Sequence, residues 1–204
     1  MSTVSTLNSM PGEDWKSLVV DLLPPQGAWS EDAYLWLTDQ TSRLVELNDG
    51  QLEVLPMPTD RHQSILQALF LAFHQFLTLR GGKVQFAPLR LRIRDGKFRE
   101  PDLLLVKNAS DPRRQDRFWT GADLVLEVLS PDRPERDLDE KRTEYAAAGI
   151  PEYWVVDPVL ETIQVLSLIH GAYRPVELLV RGTVATSNVL PGFAVAVDAV
   201  FDAV

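Results

Sequence analysis

The chain contains no cysteine. That excludes a disulfide framework and a thiolate-bound metal site. Histidine is scarce, with three in 204 residues, and no His-Cys cluster is spaced for zinc. No apolar run approaches the length needed to cross a bilayer. There is no Gly-rich phosphate loop and no Gly-x-Ser-x-Gly nucleophile elbow. Internal repeats and low-complexity tracts are absent too. The first twelve residues lack the basic start and apolar block of a signal peptide, so they read as a disordered tail. These absences predict a soluble, cytoplasmic protein with no membrane contact. An N-terminal tail is expected over 1–28 and a single domain over 29–204.

What is present suits one sizeable core: 45% of residues are hydrophobic and 24% charged, the balance of an ordinary globular domain. The net charge of −9 counts against indiscriminate nucleic-acid binding. Its distribution softens that objection. Between Arg80 and Arg117 lie 11 of the 20 basic residues, so this segment is net +6 and the remainder −15. Arg90, Arg92 and Arg94 alternate with Leu89, Leu91 and Ile93. They are either the wet face of an antiparallel strand or, with Arg99, a surface that follows phosphates.

The pattern of elements is α/β. Ser30 can cap a helix over Glu31 to Asp39, with Trp29 stapling against Tyr34. Asn48-Asp49-Gly50 joins two strands in a hairpin, Arg43 to Leu47 and Gln51 to Pro56. Ile65, Leu66, Leu69, Phe70, Phe73, Phe76 and Leu77 stripe a helix from about Asp60 to Arg80, which Gly81-Gly82 stops. Strands are expected at Val84 to Ile93, from Asp102 through Val106, at Asp123 to Leu129 and at Glu152 to Val156. Asp137 and Glu140 have capping-box spacing for a helix reaching Ala148. Short strands with turns at His170-Gly171, Arg181-Gly182 and Pro191-Gly192 follow. A mixed sheet flanked by helices, with a β-rich C-terminal part, accommodates this order.

Two carboxylates and a lysine stand out. Glu127 interrupts Leu124-Val-Leu-Glu-Val-Leu129, where an uncompensated charge costs several kcal/mol. Such a group binds a metal or sits in a salt bridge. Asp102 opens an apolar strand after Pro101 and is either a ligand or a water-facing residue. Leu138, Lys141, Tyr145 and Ala148 recur at helical spacing. Lys141 therefore points at the sheet, unless its ammonium snorkels out. Glu46, taken alone, reads as a solvent-facing strand residue. His62 shares a face with Leu66 and Leu69, as a buried histidine or a catalytic one. Oxygen ligands without nitrogen or sulfur favour a hard cation, Mg²⁺ with Mn²⁺ as substitute.

At these residues the chain resembles the Uma2 family, also called DUF820, of the PD-(D/E)xK nuclease superfamily. The matching text is Arg99-Glu-Pro-Asp102, Ala122-Asp-Leu-Val-Leu-Glu-Val-Leu-Ser-Pro131, Arg136-Asp-Leu-Asp-Glu-Lys141 and Tyr145 to Pro158. The hairpin Val45 to Gly50 and His62 match as well. The resemblance implies a restriction-endonuclease-like fold with Mg²⁺ at the strand ends. Asp102 would be the first aspartate of the motif and Glu127 its second acidic residue. The usual lysine position holds Leu129, so Lys141 from the following helix becomes the substitute. Glu46 would be an additional acidic residue.

The expected activity is metal-dependent hydrolysis of a nucleic-acid phosphodiester, with DNA as the expected substrate. Asp102 and Glu127 bind the metal, Glu46 completes the shell or orients water, and Lys141 orients the nucleophile or stabilises charge. Tyr145 holds the ammonium or touches substrate. A homodimer would allow cuts on opposite strands. The alternatives are a nuclease-like fold kept as a binding module, and a hydrolase of another phosphoester.

Overall fold

The computed structural model describes residues 23–130 and 136–203. The tail expected over residues 1–12 lies outside the described residues, as do residues 131–135 and the side chain of Asp137. Ordered contacts begin ahead of the expected boundary at Trp29. Gln26 bonds to the backbone of Leu52 in both directions, and the Gly27 N–H donates to the Gly50 carbonyl at 2.8 Å.

Local chemistry explains the first elements. Helix α1 spans Glu31–Thr38 and is capped by the Ser30 hydroxyl, which accepts from the Ala33 N–H. Strands β1 (Val45–Asn48) and β2 (Gln51–Val54) form the expected hairpin. Asp49 and Gly50 take φ of 50° and 81°, the paired left-handed residues of a type I′ turn. A Cβ on Gly50 would meet the Gly27 carbonyl oxygen at 2.6 Å, so the close approach of the N-terminal segment also requires glycine. Helix α2 runs Asp60–Thr78, and the Thr59 hydroxyl accepts from the His62 N–H. That cap pins His62 in the first turn.

Two larger β-sheets and a small two-stranded one form among the described residues. The largest has six strands: β3 (Lys83–Phe86), β6 (Leu103–Val106), β7 (Leu124–Val128), β8 (Glu152–Asp157), β9 (Thr162–Ile169) and β10 (Ala172–Leu179), in the order β10-β9-β8-β7-β6-β3. It is mixed: β7 and β8 run parallel and the other neighbours antiparallel. Buried on both faces, β6 and β7 are unbroken apolar runs except at Glu127. Alternate residues separate into two cores. Leu103, Leu105, Leu124 and Leu126 pack with Phe73 of α2, whereas Leu104, Val106 and Val125 pack with Tyr145.

The second sheet, β2-β1-β5-β4, adds β4 (Leu91–Arg94) and β5 (Lys97–Arg99) to the hairpin. Its core of Val45, Leu47 and Phe98 closes on Trp29, Tyr34 and Leu35, so Trp29 does meet Tyr34's cluster. The single strand expected over Val84 to Ile93 is thus corrected. It divides into β3 and β4, which lie in different sheets. Pro88 has no N–H for a ladder, and Ala87 N–H instead turns to the Asp102 carbonyl at 3.2 Å.

The helix expected from Asp137 is also corrected. A π-helical turn spans Arg136–Lys141 and leads into α3, Arg142–Ala147. Its wider turn moves Leu138 off the predicted face, and Ala148 is exposed past the helix end. Lys141 and Tyr145 stay buried. The C-terminal part holds the small β11–β12 hairpin (Val184–Thr186, Ala194–Ala196) and α4 (Val197–Phe201). Glu152, fully buried, ties it to the sheet by accepting from Trp154 Nε1, Asn188 N and Val189 N. Among the described residues no helix is long and apolar enough to cross a membrane.

Candidate active site

The register of β6 on β7 pairs Leu103 with Leu126. One residue further, it sets Asp102 opposite Glu127 at the strand ends, and side chains so placed are neighbours. The Val128 N–H donates to Asp102 Oδ2 at 2.8 Å, and His62 Nε2 hydrogen-bonds the same oxygen at 3.2 Å. Glu127 Oε1 accepts from the Tyr145 hydroxyl at 2.6 Å and lies 2.8 Å from Lys141 Nζ. Asp102, Glu127, Lys141 and His62 all line one cavity of about 660 Å³. Lys141 is 4% exposed, so its ammonium does not snorkel to the surface. Tyr145 is wholly buried and contacts Glu127 rather than the cavity. Burial, and then the Glu127 charge, raise its phenol well above the usual range, so it remains a donor.

Glu46 departs from its expectation as a solvent-facing residue, being completely buried. It does not line the cavity. Its Oε1 accepts from the Glu100 N–H at 2.9 Å. Its Oε2 accepts from Arg99 Nη1 at 2.6 Å and from Arg136. Lys141 Nζ stands 4.0 Å from Oε1. Burial alone would raise this carboxyl, but Lys141, Arg99 and Arg136 outweigh it and hold it down at about 2. The residue acts as an anionic hub behind Lys141.

The arginines expected to follow phosphates are engaged by carboxylates. Arg99 is fully buried, gripping Glu46 and both oxygens of Glu144. It is not a surface contact. Arg90 pairs with Asp39, Arg92 with Glu31 and Asp95, and Arg94 with Asp49 in a two-bond fork. Alternation marked this strand correctly as two-faced, but could not show which acids fold over it.

Glu100 lines the same cavity and was not singled out from the sequence. It is 3% exposed and accepts from the Val45 N–H at 3.0 Å. Burial, then the Glu46 charge, push it up to about 8. Its folded pKa lies above the unfolded 4.5, so its contribution is full below that value and is lost as pH rises through about 8. Glu46 is ionised in the folded state throughout that interval, so the slope it adds near pH 4.5 comes from the unfolded chain and is common to wild type and variant. Thermal melts should therefore show stability falling across this window in the wild type and a flatter profile in Glu100→Gln. An equal slope in both would refute the assignment.

Among the described residues, no group of three or more His, Cys, Asp or Glu side chains could hold a metal ion. The donor set is instead two carboxylates opening on one cavity. Mg²⁺ is commonly held by one or two carboxylates, with waters and substrate phosphates completing the shell. The pair Asp102 and Glu127 fits that open kind of site and not an all-protein cage.

The family Uma2, described as "putative restriction endonuclease", matches residues 31–198. The chain belongs to the Uma2 family. No curated protein matches it. Among solved structures, a crystal structure from Anabaena variabilis described as "a putative nuclease belonging to DUF820" aligns with a TM-score of 0.66. The alignment covers 83% of this Uma2 chain and 97% of the other, at 17% identity. At that identity the likeness establishes the fold: a mixed α/β nuclease-like architecture. Membership supports a nuclease at the level of the family.

Proposed function

We propose that the chain is a metal-dependent nuclease hydrolysing phosphodiester bonds of DNA. The reading rests on one observation: Asp102, Glu127 and Lys141 come from three elements to one cavity, with the ammonium 2.8 Å from the Glu127 carboxylate. Asp102 and Glu127 would hold a divalent cation, Mg²⁺ or Mn²⁺, which would supply Lewis-acid chemistry toward a phosphodiester. Lys141 presents positive charge where phosphate charge develops, and it can orient the attacking water. Tyr145 fixes the Glu127 carboxylate from behind, and Lys141 pairs with it inside the cavity. His62 and the Val128 N–H hold Asp102. Glu46 serves as a positioning residue, since its oxygens are spent on Arg99, Arg136 and the Glu100 N–H.

A second reading, a nuclease-like binding module, draws on the Lys141–Glu127 ion pair, in which a protein ammonium already partners that carboxylate. Metal titration separates the two. At ten times its Kd, a cation adds about 1.4 kcal/mol of stability, a rise of roughly 3–6 °C in Tm for a chain of this size. Mn²⁺ should produce that rise in the wild type but not in Asp102→Asn. DNA cleavage should need Mg²⁺ and stop with a chelator. No Tm response together with no cleavage would decide for the module.

A further inference from the structure

The cavity holding Asp102, Glu127 and Lys141 has a charged floor and an apolar wall. Val54 and Leu55 at the end of β2, Met57 and Pro58 before α2, and Pro158 and Val159 after β8 build that wall. Several are unusually open for apolar side chains: Met57 is 81% exposed, Val159 75% and Val54 53%. Single exposed apolar residues need no explanation, but several gathered around one cavity mark a binding surface. A volume of about 660 Å³ lies within the range of sites that enclose a small organic group. A base stacked within a duplex has both faces covered and cannot enter such a site. An unpaired or extruded base can, and enzymes hold such bases between apolar side chains.

Charge outside the cavity points the same way. A protein that grips duplex DNA along its backbone needs basic side chains open to phosphates. Arg90 and Arg117 share Asp39, Arg92 is held by Glu31, and Arg94 by Asp49. Four guanidinium groups of the segment richest in basic residues are thus already matched by carboxylates.

We infer that the wall formed by Val54, Met57, Pro58 and Val159 is a nucleobase subsite, so that the substrate is DNA carrying an unpaired or extruded nucleotide beside the reacting phosphodiester. This rests on Asp102 and Glu127 being the reacting centre. The base lies against the proline rings and the Met57 thioether, whose sulfur makes favourable contacts with aromatic rings. Its phosphate then reaches the charged floor.

Binding of one fluorescent oligonucleotide, single-stranded or fully paired, tests the subsite by anisotropy with Ca²⁺ replacing Mg²⁺. The single strand should bind about tenfold tighter or more, the lower part of the range for one base stack. Met57→Ser combined with Val159→Ser should erase most of that preference. Leu79→Ser should not. Leu79 is 82% exposed but lies about 25 Å along the helix from His62. Equal affinity for both forms, binding of neither, or an unaltered preference in the double variant overturns the subsite. Cleavage is read separately in Mg²⁺. Wall-dependent binding without cleavage refutes the catalytic reading and keeps the subsite. Cleavage of paired and unpaired DNA alike, indifferent to Met57 and Val159, does the reverse.

Discussion

Glu127→Gln is expected to lower the rate of DNA cleavage by on the order of 10³, with the fold intact. The magnitude follows from losing several kcal/mol of metal-derived charge stabilisation, at tenfold per ~1.4 kcal/mol. Glutamine keeps the shape of glutamate, and its carbonyl oxygen still accepts from the Tyr145 hydroxyl, now 2.6 Å from Glu127 Oε1. Lys141 loses its nearest charge partner but retains Glu46 at 4.0 Å. The comparison therefore isolates charge from packing. Lys141→Met should also lose cleavage, while Mn²⁺ still raises Tm, because the carboxylates remain. Cleavage within about threefold of the wild type in Glu127→Gln, under saturating Mg²⁺, would remove Glu127 from the reaction.

Arg99→Met is expected to cost about 3–5 kcal/mol of stability, the usual result of stripping one partner from a buried ion pair. Arg99 is wholly buried and makes bonds of 2.6–2.8 Å to Glu46 and Glu144. Methionine fills much of the volume but leaves both carboxylates short of charge. Lys97 still bonds Glu144 at 2.6 Å, and Arg136 still bonds Glu46, so the loss is bounded. Adding Glu144→Gln should recover part of it, since the pair shares one network. Arg99→Lys should not rescue fully, because an ammonium cannot reproduce the fork. Urea unfolding measures all three. A loss under about 1 kcal/mol in Arg99→Met would mean the network is not a structural joint. The joint matters to the site because it links the second sheet to α3, which carries Tyr145 behind Glu127.

Legibility in the sequence followed the range of the interactions. Ser30, the Asn48-Asp49-Gly50 turn and the α2 stripe act within a few residues, and each appears as read. Glu127 was legible because a carboxylate amid Leu, Val and Leu has no cheap bland explanation. Lys141 was legible through spacing to Tyr145, even though the turn before it is π-helical. Glu46 misled because its strand alone looks half wet, and nothing nearby in sequence announces Arg99 and Arg136 as its partners. Glu100 gave no signal at all, since its burial depends on β1 packing across it.

The sequence by itself determined the α/β class, the local turns and caps, the family, and the two carboxylates and lysine worth following. Periodicity and capping are local physics, and a buried charge in an apolar strand is conspicuous wherever it occurs. Only the tertiary structure decided that Asp102 and Glu127 face each other across β6 and β7, and that Val84 to Ile93 divides between two sheets. It also paired Arg90, Arg92, Arg94 and Arg99 with acids from other elements, and set an apolar wall beside the carboxylates. Those outcomes depend on strand register and on pairings between residues dozens of positions apart. Closing such contacts is governed by which surfaces bury best together, not by any pattern a single segment carries.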